Sequence, residues 1–162
     1  MQNCILEHKV KMVVAFIEAD KYERTAALAI RAWNVLSKLV VEEGADVFLF
    51  NNEGPFDNDC WLIVSQLQML YPNIERHYYH GGCDYDVGYV DYMSDSYDKV
   101  IFPEQGIPFP SNLRDRAMID RCDVVLTYCN NEQMQSERKS GGALAVEFAR
   151  KMKKRVINLF DA

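Results

Sequence analysis

The sequence predicts an α/β protein, a three-layer sandwich with a central, mainly parallel sheet and helices on both faces. Three observations carry this. Near-continuous apolar runs rich in Val, Ile and Phe recur along the chain, and such runs mark strands buried on both faces of a parallel sheet. Between them stand stretches whose apolar residues recur at three- and four-residue spacing, as in a helix that buries one face. In the carboxyl half an apolar run leads into a polar loop, a glycine pair and another helical pattern. That order puts the amino end of a helix at the carboxyl edge of a sheet, where open α/β folds bind anionic ligands.

After a polar N-terminal tip, residues 11–17 (KMVVAFI) read as a central strand. A helix is expected over 22–43, with Ala26, Ala29, Ile30, Trp33, Leu36, Leu39 and Val40 toward the sheet and Gly44 as its stop. Residues 45–50 (ADVFLF) make a second strand, and the turn-rich loop 51–57 (NNEGPFD) at its carboxyl end is expected to face a ligand cleft. The next helix runs to about Leu70 with Trp61, Val64, Leu67 and Leu70 inward, and Tyr71-Pro72 ends it. Residues 73–79 (NIERHYY) form a third strand. Two strand–helix–strand units in succession imply a parallel sheet.

Residues 80–110 break the rhythm with glycines at 81, 82, 88 and 106, prolines at 103, 108 and 110, and tyrosines at 85, 89, 92 and 97. A short helix near 90–97 and a short strand near 99–102 are expected within it. Irregular segments of this length are commonly functional or mobile. A helix carrying Arg114 and Arg116 follows, then strand 123–128 (DVVLTY), the loop closed by Ser140-Gly141-Gly142, a helix (ALAVEFARKMKK) and a last strand at 155–160.

A chain of 162 residues fits one domain spanning residues 1–162. Its 49% apolar and 26% charged composition is ordinary for a globular protein, and a net charge of −6 argues against a broad nucleic-acid or membrane-binding face. The five cysteines lack CxxC spacing and read as reduced thiols in a cytoplasmic protein. No apolar stretch reaches the length of a membrane span.

Ser140, Gly141, Gly142 and Ala143 read either as a phosphate cradle or as an N-cap and helix entry. Arg114 and Arg116, two apart on a helix, point in different directions. One of them is expected to clamp a phosphate from the cleft, and periodicity does not choose between them. In the loop after the second strand, Asn52, Glu53, Gly54, Phe56 and Asp57 face the cleft, and an acid there is placed to take ribose hydroxyls. Glu147, a turn and a half into the last helix, is a further acid for ribose contact or general base work. His77, His80, Cys83 and Asp84 lack zinc spacing, so no metal is expected. GxSxG, P-loop and GxGxxG motifs are all missing.

The stretches RDRAMIDRCDVVLTY and SGGALAVEFARKMKKRVINLF resemble the SLOG superfamily, named for Smf/DprA and the cytokinin-activating LOG enzymes, and most of all its YpsA-like bacterial branch. Asn52-Glu-Gly-Pro-Phe-Asp57 is similar to that branch's G-x-F-D loop. The resemblance implies a Rossmann-like fold that binds a nucleotide or nucleotide-derived phosphorylated ligand, and counting back from Met118 it selects Arg114 for the cleft. Three departures accompany it. Asp115 stands where the pattern has asparagine. Residues 16–20 (FIEAD) replace a G-H-R motif. Phe148 occupies the position of the LOG glutamate, with Glu147 one residue early and Leu144 and Ala145 in place of G-T. On a helix one residue is about 100° of rotation.

The expected function is therefore binding of a nucleotide-like small molecule at the carboxyl edge, as a sensor or binding module, with no separate cofactor. The alternative is an N-glycosidic hydrolase or transferase, LOG-like or deoxyribosyltransferase-like, with Glu147, Glu53 or Asp57 as the acid. A third reading is a partner-binding adaptor using residues 80–110, and a homodimer is compatible with each.

Overall fold

The computed structural model of the chain describes residues 12–130 and 138–161. The N-terminal tip with Cys4, and most of the polar loop expected before Ser140, lie outside them. Among the described residues six strands form one parallel sheet: β1 (Val13–Glu18), β2 (Val47–Phe50), β3 (Glu75–Tyr79), β4 (Lys99–Ile101), β5 (Val124–Tyr128) and β6 (Arg155–Asn158). Their spatial order is β4-β3-β2-β1-β5-β6. The central strand β1 pairs with β2 through Val14 and Phe48 and with β5 through Ala15 and Val125. Its first five residues are all buried, which is why the run KMVVAFI shows no alternation.

Among the described residues five helices cover the two faces: α1 (Ala26–Val41), α2 (Pro55–Leu70), α3 (Val87–Ser94), α4 (Ser111–Arg121) and α5 (Gly141–Lys151). Side chains of α1, α2 and α3 pack with Val14, Phe16, Phe48, Phe50 and Tyr78 on one face. Those of α4 and α5 pack with Ala15, Ile17, Leu49 and Val125 on the other. This is the three-layer α/β sandwich expected from the alternation of patterns. No helix is long and apolar enough to cross a membrane among the described residues.

Local chemistry sets the helix starts. Thr25 caps α1 by accepting from the Leu28 N–H at 3.1 Å. Pro55 opens α2, where its missing N–H costs nothing. Asp123, expected at a strand entry, accepts from the Val13 N–H at 2.9 Å and ties β5 to β1.

Two helix faces differ from expectation. In α1 the buried stripe is Ala32, Leu36, Leu39 and Val40, while Ile30 is 62% exposed. Too many apolar residues sit on this helix for spacing alone to fix which stripe meets the sheet. In α2 the buried set includes Phe56, Cys60, Val64 and Leu67, whereas Leu70, on the last turn, has passed the edge of the sheet and is exposed.

Candidate functional site

With β2 on one side of β1 and β5 on the other, the chain leaves β1 for α1 on one face and β5 for α5 on the opposite face. A crevice opens between two such connections, and in open α/β sheets it is the place where ligands settle. Here the residue at its floor is Glu18, the last of β1, which no motif singles out.

Glu18 touches both walls. Its carboxylate faces the first turn of α2, where the Phe56 N–H approaches Oε1 at 3.4 Å. Gly54 stands at φ +89°, a backbone conformation that favours glycine, and the Glu18 carboxylate lies where a Cβ would point. An acid at a helix amino end offsets the exposed N–H groups there, although burial raises the Glu18 pKa and the Phe56 N–H only partly counters it. On the other wall the Glu18 backbone lies under Gly142: a Cβ there would fall 2.8 Å from its carbonyl carbon and 2.9 Å from Ala19 Cα. The close approach that Gly142 permits is thus to the chain's own strand. Ser140 completes this junction. Its hydroxyl donates to Ala19 O at 2.7 Å and accepts from the Ala143 N–H at 3.0 Å, capping α5.

The loop after β2 is organised by Asp57, which is 2% exposed and accepts from the Asn51 and Asn52 N–H groups at 3.1 and 3.0 Å. Burial lifts its pKa to about 7, with the two N–H groups pulling the other way. This fold of the loop, with Asn52 at φ 55°, presents Glu53 to Arg114. Arg114 is almost wholly buried, and its guanidinium is held by two carboxylates. Nη1 and Nη2 donate to Glu53 Oε1 and Oε2 at 2.7 and 3.0 Å, while Nε and Nη2 donate to Asp115 Oδ1 at 3.1 and 2.9 Å. Burial works against the arginine's charge, but the two carboxylates outweigh it and raise its pKa. The same ion pair holds the Glu53 carboxyl below its ordinary range, whereas burial raises that of Asp115. Gly81, at the exit of β3, lies so close that a Cβ would be 2.8 Å from Arg114 Nη1.

A second space adjoins the first through Asp115. It is a cleft of about 260 Å³ between α4 and α5, with Arg116, Gly141, Leu144, Glu147 and Phe148 among its walls. The Arg116 guanidinium lies over the Phe148 ring, 5.0 Å from its centroid. Glu147 is ion-paired with Lys139 at 2.7 Å, which lowers its pKa.

Residues 80–110 supply an aromatic wall beside Arg114. His80 stacks on Phe102 at 4.6 Å and its Nδ1 hydrogen-bonds the Tyr78 hydroxyl at 2.8 Å. Tyr85 and Tyr89 pack edge-on to His80, and the three line a shallow pocket with Asp84 and Asp86. No group of three metal-ligating side chains forms among the described residues.

The residues singled out in the sequence thus fall into two groups rather than one. Asn52, Glu53, Gly54, Asp57 and Arg114 gather around the β2 exit, and Arg116, Gly141 and Glu147 gather in the α4–α5 cleft. Four of the residues singled out, Asp57 among them, have side chains engaged by the fold itself. Phe56 is fully buried, edge-on to Tyr22 with centroids 5.4 Å apart, because the first turn of α2 rotates it into the core. Ala143 is buried against the sheet. The Ser140 hydroxyl and the Asp57 carboxylate are consumed by backbone groups. Glu18 and Gly81 were missed; the one signal for Glu18 was an acid in place of the G-H-R motif.

Sheet order, crevice and buried arginine define a Rossmann-like α/β protein with a polar site at the point where strand order reverses. A solved structure with the same architecture is the molybdenum cofactor carrier protein MCP from Chlamydomonas reinhardtii, to which the chain is similar with a TM-score of 0.54 and 15% identity, over 91% of this chain and 75% of that one. At that identity the likeness speaks for the fold. No family model matches the chain, and no curated protein matches it.

Proposed function

We propose that the chain binds a small phosphorylated ligand, a nucleotide or a nucleotide-derived molecule, at the carboxyl edge of its sheet, as a sensor or binding module. The observation that carries this is Arg114, a buried guanidinium at the crevice with one edge fixed by Asp115 and the other covered only by a side chain on an exposed loop. Burying an arginine is costly unless it is paired, and Arg–phosphate recognition uses this two-pronged geometry. The wall of His80, Tyr85 and Tyr89 offers a stacking surface for a base next to it. The likeness to a cofactor carrier and the SLOG-like motifs support the same kind of role.

Binding ranks ahead of N-glycosidic cleavage because each candidate acid is engaged: Glu53 by Arg114, Asp57 by two backbone N–H groups, Glu147 by Lys139. Calorimetry against nucleoside mono-, di- and triphosphates and nucleotide sugars tests the reading. Arg114→Lys keeps the charge but loses the fork, and an affinity loss of about tenfold, or 1.4 kcal/mol, is expected. Silence of the wild type across the panel would overturn the reading. Base release from a nucleoside monophosphate, abolished by one acid-to-amide change, would replace it with the enzyme.

A further inference from the structure

We propose that Glu53 is a built-in competitor for the anion position on Arg114, so that the site admits phosphomonoesters and turns away carboxylates. The proposal rests on the reading of Arg114 as the anion site and names what that site selects.

The pair is asymmetric. The Arg114 side chain is 2% exposed and that of Glu53 is 60% exposed. Three features keep the guanidinium where it is: Asp115 on its Nε edge, itself only 11% exposed, the backbone of Gly81 against Nη1, and the buried stem. Glu53, by contrast, stands on the loop between β2 and α2, and its carboxylate spans Nη1 and Nη2 as the anion of a ligand would. A substituent arriving from solvent therefore meets Arg114 only where Glu53 now sits.

Magnitudes decide what can take its place. Glu53 can swing into water because its own side chain is 60% exposed, but Arg114 is buried, so Glu53 leaves at small cost only when another anion takes its place on the fork. It is nonetheless tethered, and an incoming carboxylate would form the same two hydrogen bonds while losing its translational freedom. Such a ligand gains nothing over Glu53. A phosphomonoester brings a charge of about −1.5 to −2 and three acceptor oxygens, so it forms the same fork with more charge than a carboxylate carries and keeps an oxygen for water.

The test uses phenyl phosphate and benzoate, which share a ring and differ in the anion. Wild type, Glu53→Ala and Glu53→Gln are titrated near pH 7.5 at fixed ionic strength, following the Arg114 Nε–Hε signal by NMR, assigned through Arg114→Lys. Ligand-free melts confirm that the Glu53 variants are folded. In the wild type, phenyl phosphate should move the signal and benzoate should not. Both Glu53 variants should bind phenyl phosphate about fivefold more tightly, because no tethered carboxylate has to be displaced from the fork, and should now respond to benzoate. Unchanged or weaker phenyl phosphate binding in the variants, with the Arg114 signal still responding, overturns the competitor and leaves the proposed function standing. An Arg114 signal that no anion moves in any of the proteins overturns both.

Discussion

Exchanging Gly142 for alanine places a methyl group where the exit of β1 already lies. The added carbon would fall 2.8 Å from the Glu18 carbonyl carbon and 2.9 Å from Ala19 Cα, and closer still to the Glu18 oxygen. These are backbone atoms of the central strand, which has neighbours hydrogen-bonded on both sides, so they cannot step aside as the end of a flexible side chain can. Overpacking of this kind costs about 1–3 kcal/mol. Alanine recovers at most about 1 kcal/mol through helix propensity. Contact with unyielding backbone puts the cost at the upper end of that range, and the net loss of about 2 kcal/mol corresponds to a melting temperature lower by about 4–8 °C for a chain of this size. Circular dichroism melts of the ligand-free protein measure it, with Gly141→Ala as the control: nothing lies within 4 Å of a Cβ there, so its melting point should hold or rise slightly. If Gly142→Ala melts at or above the wild type, α5 does not rest on β1 as described. An anion cradle standing clear of the strand would give that second result, together with lost ligand affinity.

Three further outcomes follow from the same geometry. Because burial raises Asp57 to about 7 from 3.8, the folded chain holds this proton more tightly than the unfolded one, and its contribution to stability declines as pH climbs from about 4 to about 7. Asp57→Asn should gain on the wild type across that window, by a few kcal/mol at most, and urea titrations showing a constant difference would contradict the buried carboxyl. Ser140→Ala removes both the cap of α5 and the bond to Ala19 O, for an expected loss of about 1–2 kcal/mol; a loss below a few tenths would mean that the hydroxyl is solvated instead. Arg114→Ala strands Asp115 in a buried place and should destabilise by about 3 kcal/mol, much of it restored by adding Asp115→Asn, so a double-mutant cycle with no coupling would rule out their pairing.

Much of the fold was legible because its signals are local. Unalternating runs gave the strands, and the Tyr71-Pro72 junction gave the end of α2 to within a residue, while α5 starts at Gly141, two residues ahead of the Ala143 expected. The site was legible only in part, because its partnerships cross the sheet. Arg114 and Arg116 are two residues apart, yet one reaches Glu53 on the β2 loop and the other Phe148 on a different helix. Nothing in their spacing encodes those partners. Glu18 illustrates the limit best: its role exists only because strand order puts β1 between β2 and β5, and order is a property of assembly rather than of any segment. The Gly141-Gly142 pair was located correctly along the chain, while the identity of the backbone that it approaches came only from the tertiary arrangement.

That arrangement has a mechanical consequence. Glu18 props the first turn of α2 with its carboxylate and the first turn of α5 with its carbonyl, from opposite sides of the sheet. The two helices therefore share a single support at the tip of β1, a strand paired on both sides. The peptide that α5 packs against is the one that carries the side chain facing the turn from which α2 starts. Two walls that look independent in the topology thus meet at one residue.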